Sequence, residues 1–326
     1  MEIKKPEMFE MAAEGGKAKM WEQILMFIAI FLIGIVISTV PILIDFTVDA
    51  INVKNNVGTN EEFQIWFEET MASPSFTYIS LYATIFSIIV VILFAKFKDK
   101  RSLRSIGFER KGAIKHYLAG VFIGFAMFGF VIAINLLTGA MTIESLINNL
   151  DGATLGLIAI FFGGFLIQGA EEEILVRGYL MVNLGAKHKV STAIIISSIV
   201  FAALHLGNPG VTVLAMLNLT LFGVFCALYI ICFNNIWGAC AIHSIWNFVQ
   251  GNFFGVSVSG MNTMPSIFAA TNVPGKEFIN GGAFGAEGGI ATTIVLVLSI
   301  AMVLSYMKKK GQLQKKVIEK ATAEKV

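Results

Sequence analysis

Charge is what this 326-residue chain has least of: only 14% of its residues are Asp, Glu, Lys or Arg, while 56% are hydrophobic. A soluble globular domain is usually about 25% charged and about 45–50% apolar. So few charges cannot enclose that much apolar side chain in water. A single soluble core is excluded, and lipid is required as solvent. The net charge of +2 is small, and the basic residues fall in short clusters between apolar runs, which excludes a nucleic-acid-binding surface. Cysteine is also scarce. Cys226, Cys232 and Cys240 lie in or beside apolar runs without metal-ligand spacing and read as packing residues. There is no H-E-x-x-H motif, no intramembrane Ser–His pair in a nucleophile context, and no cysteine set beside a histidine.

What the chain does have is apolar runs of spanning length, which is about 20 residues at 1.5 Å each. Eight segments qualify: 24–44, 75–95, 117–138, 153–183, 190–206, 211–233, 236–254 and 289–307. The predicted fold class is all-α, a polytopic membrane helical bundle of about eight transmembrane helices. The fourth segment is longer than a bilayer needs. The fifth is short and stops at Gly207-Asn208-Pro209-Gly210, which no helix crosses intact. The chain divides into five regions: an N-terminal segment 1–23; two spans with an acidic and a basic loop, 24–114; a core, 115–255; a glycine-rich loop, 256–288; and a last span with a basic tail, 289–326. The glycine-rich loop reads as a flexible connector, with a lid as the alternative.

Lysine and arginine set the orientation. Lys4, Lys5, Lys17 and Lys19 precede the first span, eight basic residues lie between Lys96 and Lys115, Lys187 and Lys189 follow the fourth span, and Lys308, Lys309 and Lys310 open the tail. The alternate loops are poor in both, and the one from Asp45 to Ser73 is acidic. Both termini are therefore expected in the cytoplasm of a multi-pass cell-membrane protein.

Inside the spans only a few groups are charged or strongly polar: Glu171, Glu172, Glu173 and Arg177 in the fourth, His205 in the fifth, His243 and Asn247 in the seventh. Charges at mid-membrane cost roughly 2.5–3.5 kcal/mol each on insertion scales, so they default to functional candidates facing the interior. Glu173 and Arg177 are four residues apart and can pair, as can His243 and Asn247 project together, while Glu172 points about 100° away from Glu173. Phe201 lies one turn before His205 and can brace its ring. Counting from the basic face, Glu172 and His205 fall roughly 20–22 Å in, Asn247 roughly 18 Å and His243 roughly 12 Å, so one cavity can hold all four. Glu171 reads as lining water at the cytoplasmic mouth.

The chemistry open to this set is narrow. A desolvated glutamate suits proton abstraction from water near neutral pH, a histidine can orient that water, and a second histidine with an amide can stabilise an oxyanion. Alternatively Glu172, His205 and His243 supply the three protein ligands of a catalytic zinc. The residues leave the cofactor open between zinc and none.

Glu172-Glu173-Ile174-Leu175-Val176-Arg177 resembles the EExxxR motif of the CAAX-protease and bacteriocin-processing family of membrane proteins, Phe201 to His205 its FxxxH motif, and His243 to Asn247 its HxxxN motif. The three occur in the family's order over roughly residues 115–255. The resemblance implies an intramembrane endopeptidase with Glu172 activating water, His205 assisting, His243 and Asn247 stabilising the oxyanion, and Glu173 and Arg177 in support. The expected partners are membrane lipids and a peptide or lipidated protein substrate, including a prenylated CAAX type. The rival expectations are a non-proteolytic bacteriocin-immunity or scaffolding protein, and, more remotely, a proton-coupled transporter, for which the repeated, interrupted helices are lacking.

Overall fold

The computed structural model describes residues 2–13, 19–54, 59–262 and 265–314. All eight apolar segments form helices. Six are long and apolar enough to cross a membrane: α2 (Met20–Lys54), α4 (Pro74–Lys98), α5 (Ala113–Leu137), α6 (Gly152–Lys187), α8 (Val213–Phe233) and α10 (Ile290–Lys309). Two are shorter. α7 (Val190–Ala203) has 14 residues and ends before the Gly-Asn-Pro-Gly turn. α9 (Trp237–Phe248) has 12, continued by a wider π-helical stretch, Val249–Phe253. α9 needs no full apolar length because it is buried in protein rather than lipid: every residue from Gly238 to Asn247 is buried. Among the described residues three further helices lie outside the spans: α1 (Glu7–Ala13), α3 (Asn60–Met71) and a single turn at Glu277–Asn280.

The first and last described segments meet. β1 (Glu2–Ile3) pairs antiparallel with β4 (Leu313–Gln314), Ile3 opposite Leu313. Both ends therefore lie on one side of the bundle, as an even number of crossings requires. At the other end β2 (Met141–Ser145) pairs antiparallel with β3 (Phe268–Asn272), Met141 opposite Asn272. This pairing corrects the expectation of a loose connector between α9 and α10. The segment is further tied by Asn280 Nδ2 donating to the Ala140 carbonyl at 2.9 Å, and by Asn218 Nδ2 donating to the carbonyls of Glu287 and Gly289 at 2.8 and 2.9 Å.

Glycines set how close α9 comes to its neighbours. On α5, a Cβ at Gly120 would collide with the Gly238 carbonyl, and one at Gly124 would stand 2.6 Å from that of Ile242. On α6, a Cβ at Gly169 would stand 2.5 Å from the Ser244 nitrogen. In lipid, where apolar area no longer drives helix association, such small-residue seams let backbones pack directly. The Gly169–Ser244 contact sits three residues before Glu172 and one after His243, so it fixes the register of the two motifs. α6 begins at an Asp151 cap, whose Oδ1 accepts from Thr154 N at 2.8 Å, and turns π-helical over Ile174–Met181 immediately after Glu173. Such π turns concentrate at functional sites in helices.

Candidate active site

Glu173 and Arg177 are wholly buried, and Arg177 Nη1 donates to Glu173 Oε1 at 2.8 Å. The guanidinium carbon lies 4.2 Å from the centre of the Phe201 ring, a cation–π contact that helps a charge where water is absent. Gly223 on α8 makes room for it, since a Cβ there would stand 2.9 Å from Nη2.

Glu173 has a second task that its four-residue spacing to Arg177 conceals. Its Oε1 also lies 2.9 Å from His243 Nδ1, and His243 Nε2 lies 3.3 Å from Glu172 Oε2. The His243 ring thus stands between two carboxyl groups. A neutral imidazole has one N–H, so serving both requires either the imidazolium or a proton on Glu172. With Arg177 included, two acids face two cationic groups, and the cluster can be electrically neutral.

Gln168 joins the site although no motif contains it. Its Nε2 donates to Glu172 Oε1 at 2.7 Å, and its Oε1 accepts from Asn247 Nδ2 at 2.9 Å. The only sequence signal for it was its place one turn before Glu172 on the same helix face.

His205 lies just past the end of α7. Its Nδ1 is 2.9 Å from the Phe201 carbonyl, which can only accept, so Nδ1 carries a proton, and in the neutral ring Nε2 is then an acceptor. Phe201 packs on the His205 ring at 4.9 Å between centroids, and Phe222 meets the His243 ring edge-on at 4.9 Å. The expected bracing of His205 by Phe201 is present, and the same phenylalanine serves Arg177.

Glu172, His205, His243, Asn247 and Gln168 line one cavity of about 280 Å³, with Phe222 and Trp246 among its apolar walls. Glu173 and Arg177 sit behind it. The lining residues of α4, α8 and α10 all come from the helix halves farther from the chain ends. The cavity lies toward the face opposite the chain ends, where His205, Val258, Ser259 and Met261 line it.

Glu287 also lines the cavity and was not anticipated. It is buried, and Oε1 accepts from the backbone nitrogen of Ser259 and, at 2.6 Å, from its hydroxyl. Ser259 holds a left-handed φ of 48°, the strained kind of backbone found at such sites. Burial pushes the Glu287 carboxyl up from its ordinary value, opposed by the Ser259 bonds and by His205. The sole hint in the sequence was an acid within a glycine run beside a span. Glu171 does not line the cavity: it is buried in the protein.

Glu172, His205 and His243 do not form the zinc-ligand set expected as one alternative. Among the described residues no three His, Cys, Asp or Glu side chains stand together as a metal centre.

The fold and cavity define a polytopic helical membrane protein with an internal acid–histidine cluster. Residues 154–249, which contain all three motifs, match a family model described as Type II CAAX prenyl endopeptidase Rce1-like. The match bears out the family resemblance of the motifs, and it is to a family of proteases. No curated protein and no solved structure matches the chain.

Proposed function

We propose that the chain is an intramembrane endopeptidase that hydrolyses peptide bonds of membrane-associated substrates with water activated at Glu172. The observation that carries the reading is the convergence of the three motifs, all within a segment matching an endopeptidase family, on one buried cavity. Glu172 takes a proton from water while His205 Nε2 orients it, and the water oxygen bonds to the scissile carbonyl carbon. The oxyanion accepts N–H bonds from His243 Nε2 and from the second Nδ2 proton of Asn247. Collapse expels the amine, which receives the proton from Glu172. Glu173 and Arg177 hold the His243 ring through Nδ1, as outer carboxylates hold catalytic imidazoles elsewhere.

The basic clusters lie on the side of the paired chain ends, which supports a multi-pass protein of the cell membrane with both termini in the cytoplasm. The test compares membrane peptides and protein termini, by mass spectrometry, in cells expressing wild type or Glu172→Gln at equal levels. New termini with wild type alone are expected. Identical profiles, with the cellular phenotype retained by the variant, would overturn proteolysis and favour a binding or immunity role.

A further inference from the structure

The face of the bundle opposite the chain ends is strongly acidic. The segments there, 45–73, 138–151, 204–212 and 254–289, hold ten Asp or Glu, two Lys and no Arg, a net −8 in a chain whose total is +2. Of the two lysines, Lys276 is engaged, its Nζ donating to the carbonyls of Thr138 and Gly139 at 3.0 and 3.1 Å. α3 carries exposed Glu61, Glu68 and Glu69 and runs almost directly into α4, whose first turn, at Phe76 and Thr77, lines the cavity. Among the described residues no lysine or arginine lines the cavity, while two carboxyl groups, Glu172 and Glu287, do. The remaining walls are largely aromatic and aliphatic.

The acidic face and the cavity belong to the same end of the molecule, and residues of that face, among them His205, Asn208, Val258, Ser259 and Glu287, line the cavity. We propose that the cavity takes a cationic peptide, an apolar stretch flanked by lysine or arginine, delivered from the face opposite the chain ends. The apolar stretch fills the walls and the basic flanks remain at the acidic rim. A field of one sign around a low-dielectric cleft concentrates the oppositely charged ligand and speeds encounter. The same field repels an acidic segment of equal apolarity. This names the substrate class of the endopeptidase above and rests on that reading only for the cleavage step, not for binding.

The test uses the full-length protein in nanodiscs of zwitterionic lipid and two peptides with one apolar centre, flanked by Lys or by Glu. Cleavage is measured with wild type, and binding of the labelled peptides with Glu172→Gln by fluorescence anisotropy. The Lys-flanked peptide is expected to show a KM and Kd about tenfold lower or better at low salt. The gap should shrink in about 0.5 M salt, and in a Glu61→Gln/Glu68→Gln/Glu69→Gln variant with kcat unchanged. Equal affinities, or a gap indifferent to salt and to the variant, overturn the inference. Cleavage of both peptides with equal KM refutes it while leaving proteolysis standing. Charge-selective binding without cleavage upholds it while refuting proteolysis.

Discussion

Leucine at Glu173 tests the buried cluster most directly. Glu173 Oε1 takes both Arg177 Nη1 at 2.8 Å and His243 Nδ1 at 2.9 Å, and both members of the ion pair have no exposed side-chain area. Glu173→Leu leaves a guanidinium buried with its ring contact to Phe201 and no counter-charge. Removing one partner of a buried pair typically costs about 3–5 kcal/mol. Arg177→Leu strands the carboxylate and should cost about as much. The double replacement removes both charges, and apolar substitutes for buried pairs are often neutral or better. What remains is the lost bond to His243, about 1–3 kcal/mol. The double variant should therefore be more stable than either single one, against a sum of about 6–10 kcal/mol if the effects were independent. Unfolding free energy of the purified protein, titrated with SDS in mixed micelles, measures this. Activity should stay lost in the two variants that lack Glu173, because the His243 ring has lost its Nδ1 partner. Additive losses, or a single variant within about 1 kcal/mol of wild type, would show that Glu173 and Arg177 do not act as a buried pair.

Gln168→Leu removes the amide that links Glu172 to Asn247 and should lower kcat about 10- to 100-fold with little change in stability, since small misplacements at a reacting centre carry costs of this size; unchanged kcat in a peptide-cleavage assay would remove Gln168 from the site. Gly169→Val places carbon against the Ser244 backbone and should push α9 off α6, cutting activity about 100-fold in protein that still inserts. Cleavage normalised to membrane-inserted protein reads this, and near-normal activity would mean the seam does not set the motif register.

The helices and the convergence of the motifs were legible from sequence because both follow from local rules. A run of apolar residues such as 117–138 spans lipid whatever surrounds it, and an intramembrane Glu or His must face inward. Depth was less legible. His243 and Glu172 were placed roughly 8 Å apart along the membrane normal by counting 1.5 Å per residue, yet their side chains are 3.3 Å apart. The turn before α9 is recessed: Ile236 N bonds the Gly107 carbonyl and Asn234 Oδ1 accepts from Met8 N. Counting from it as though it lay at the surface displaced the helix. Gln168 was invisible because an amide in a helix carries too small a cost to flag. Glu287 and Ser259 were invisible because they meet across 28 positions of an irregular segment that leaves no periodic trace.

The glycine seam has a consequence for how the protein tolerates its surroundings. Helices held only by lipid-facing side chains tilt and slide as bilayer thickness changes. Here α9 is clasped backbone to backbone between α5 and α6 at Gly120, Gly124 and Gly169, so its height is measured from protein and not from the lipid boundary. The outer helices, such as α2 with its largely exposed apolar surface, can adjust to a thinner or thicker membrane while the alignment of His243 with Glu172 and Glu173 stays fixed. The architecture separates a compliant shell from an indexed centre, and the alignment of the centre should be insensitive to acyl-chain length.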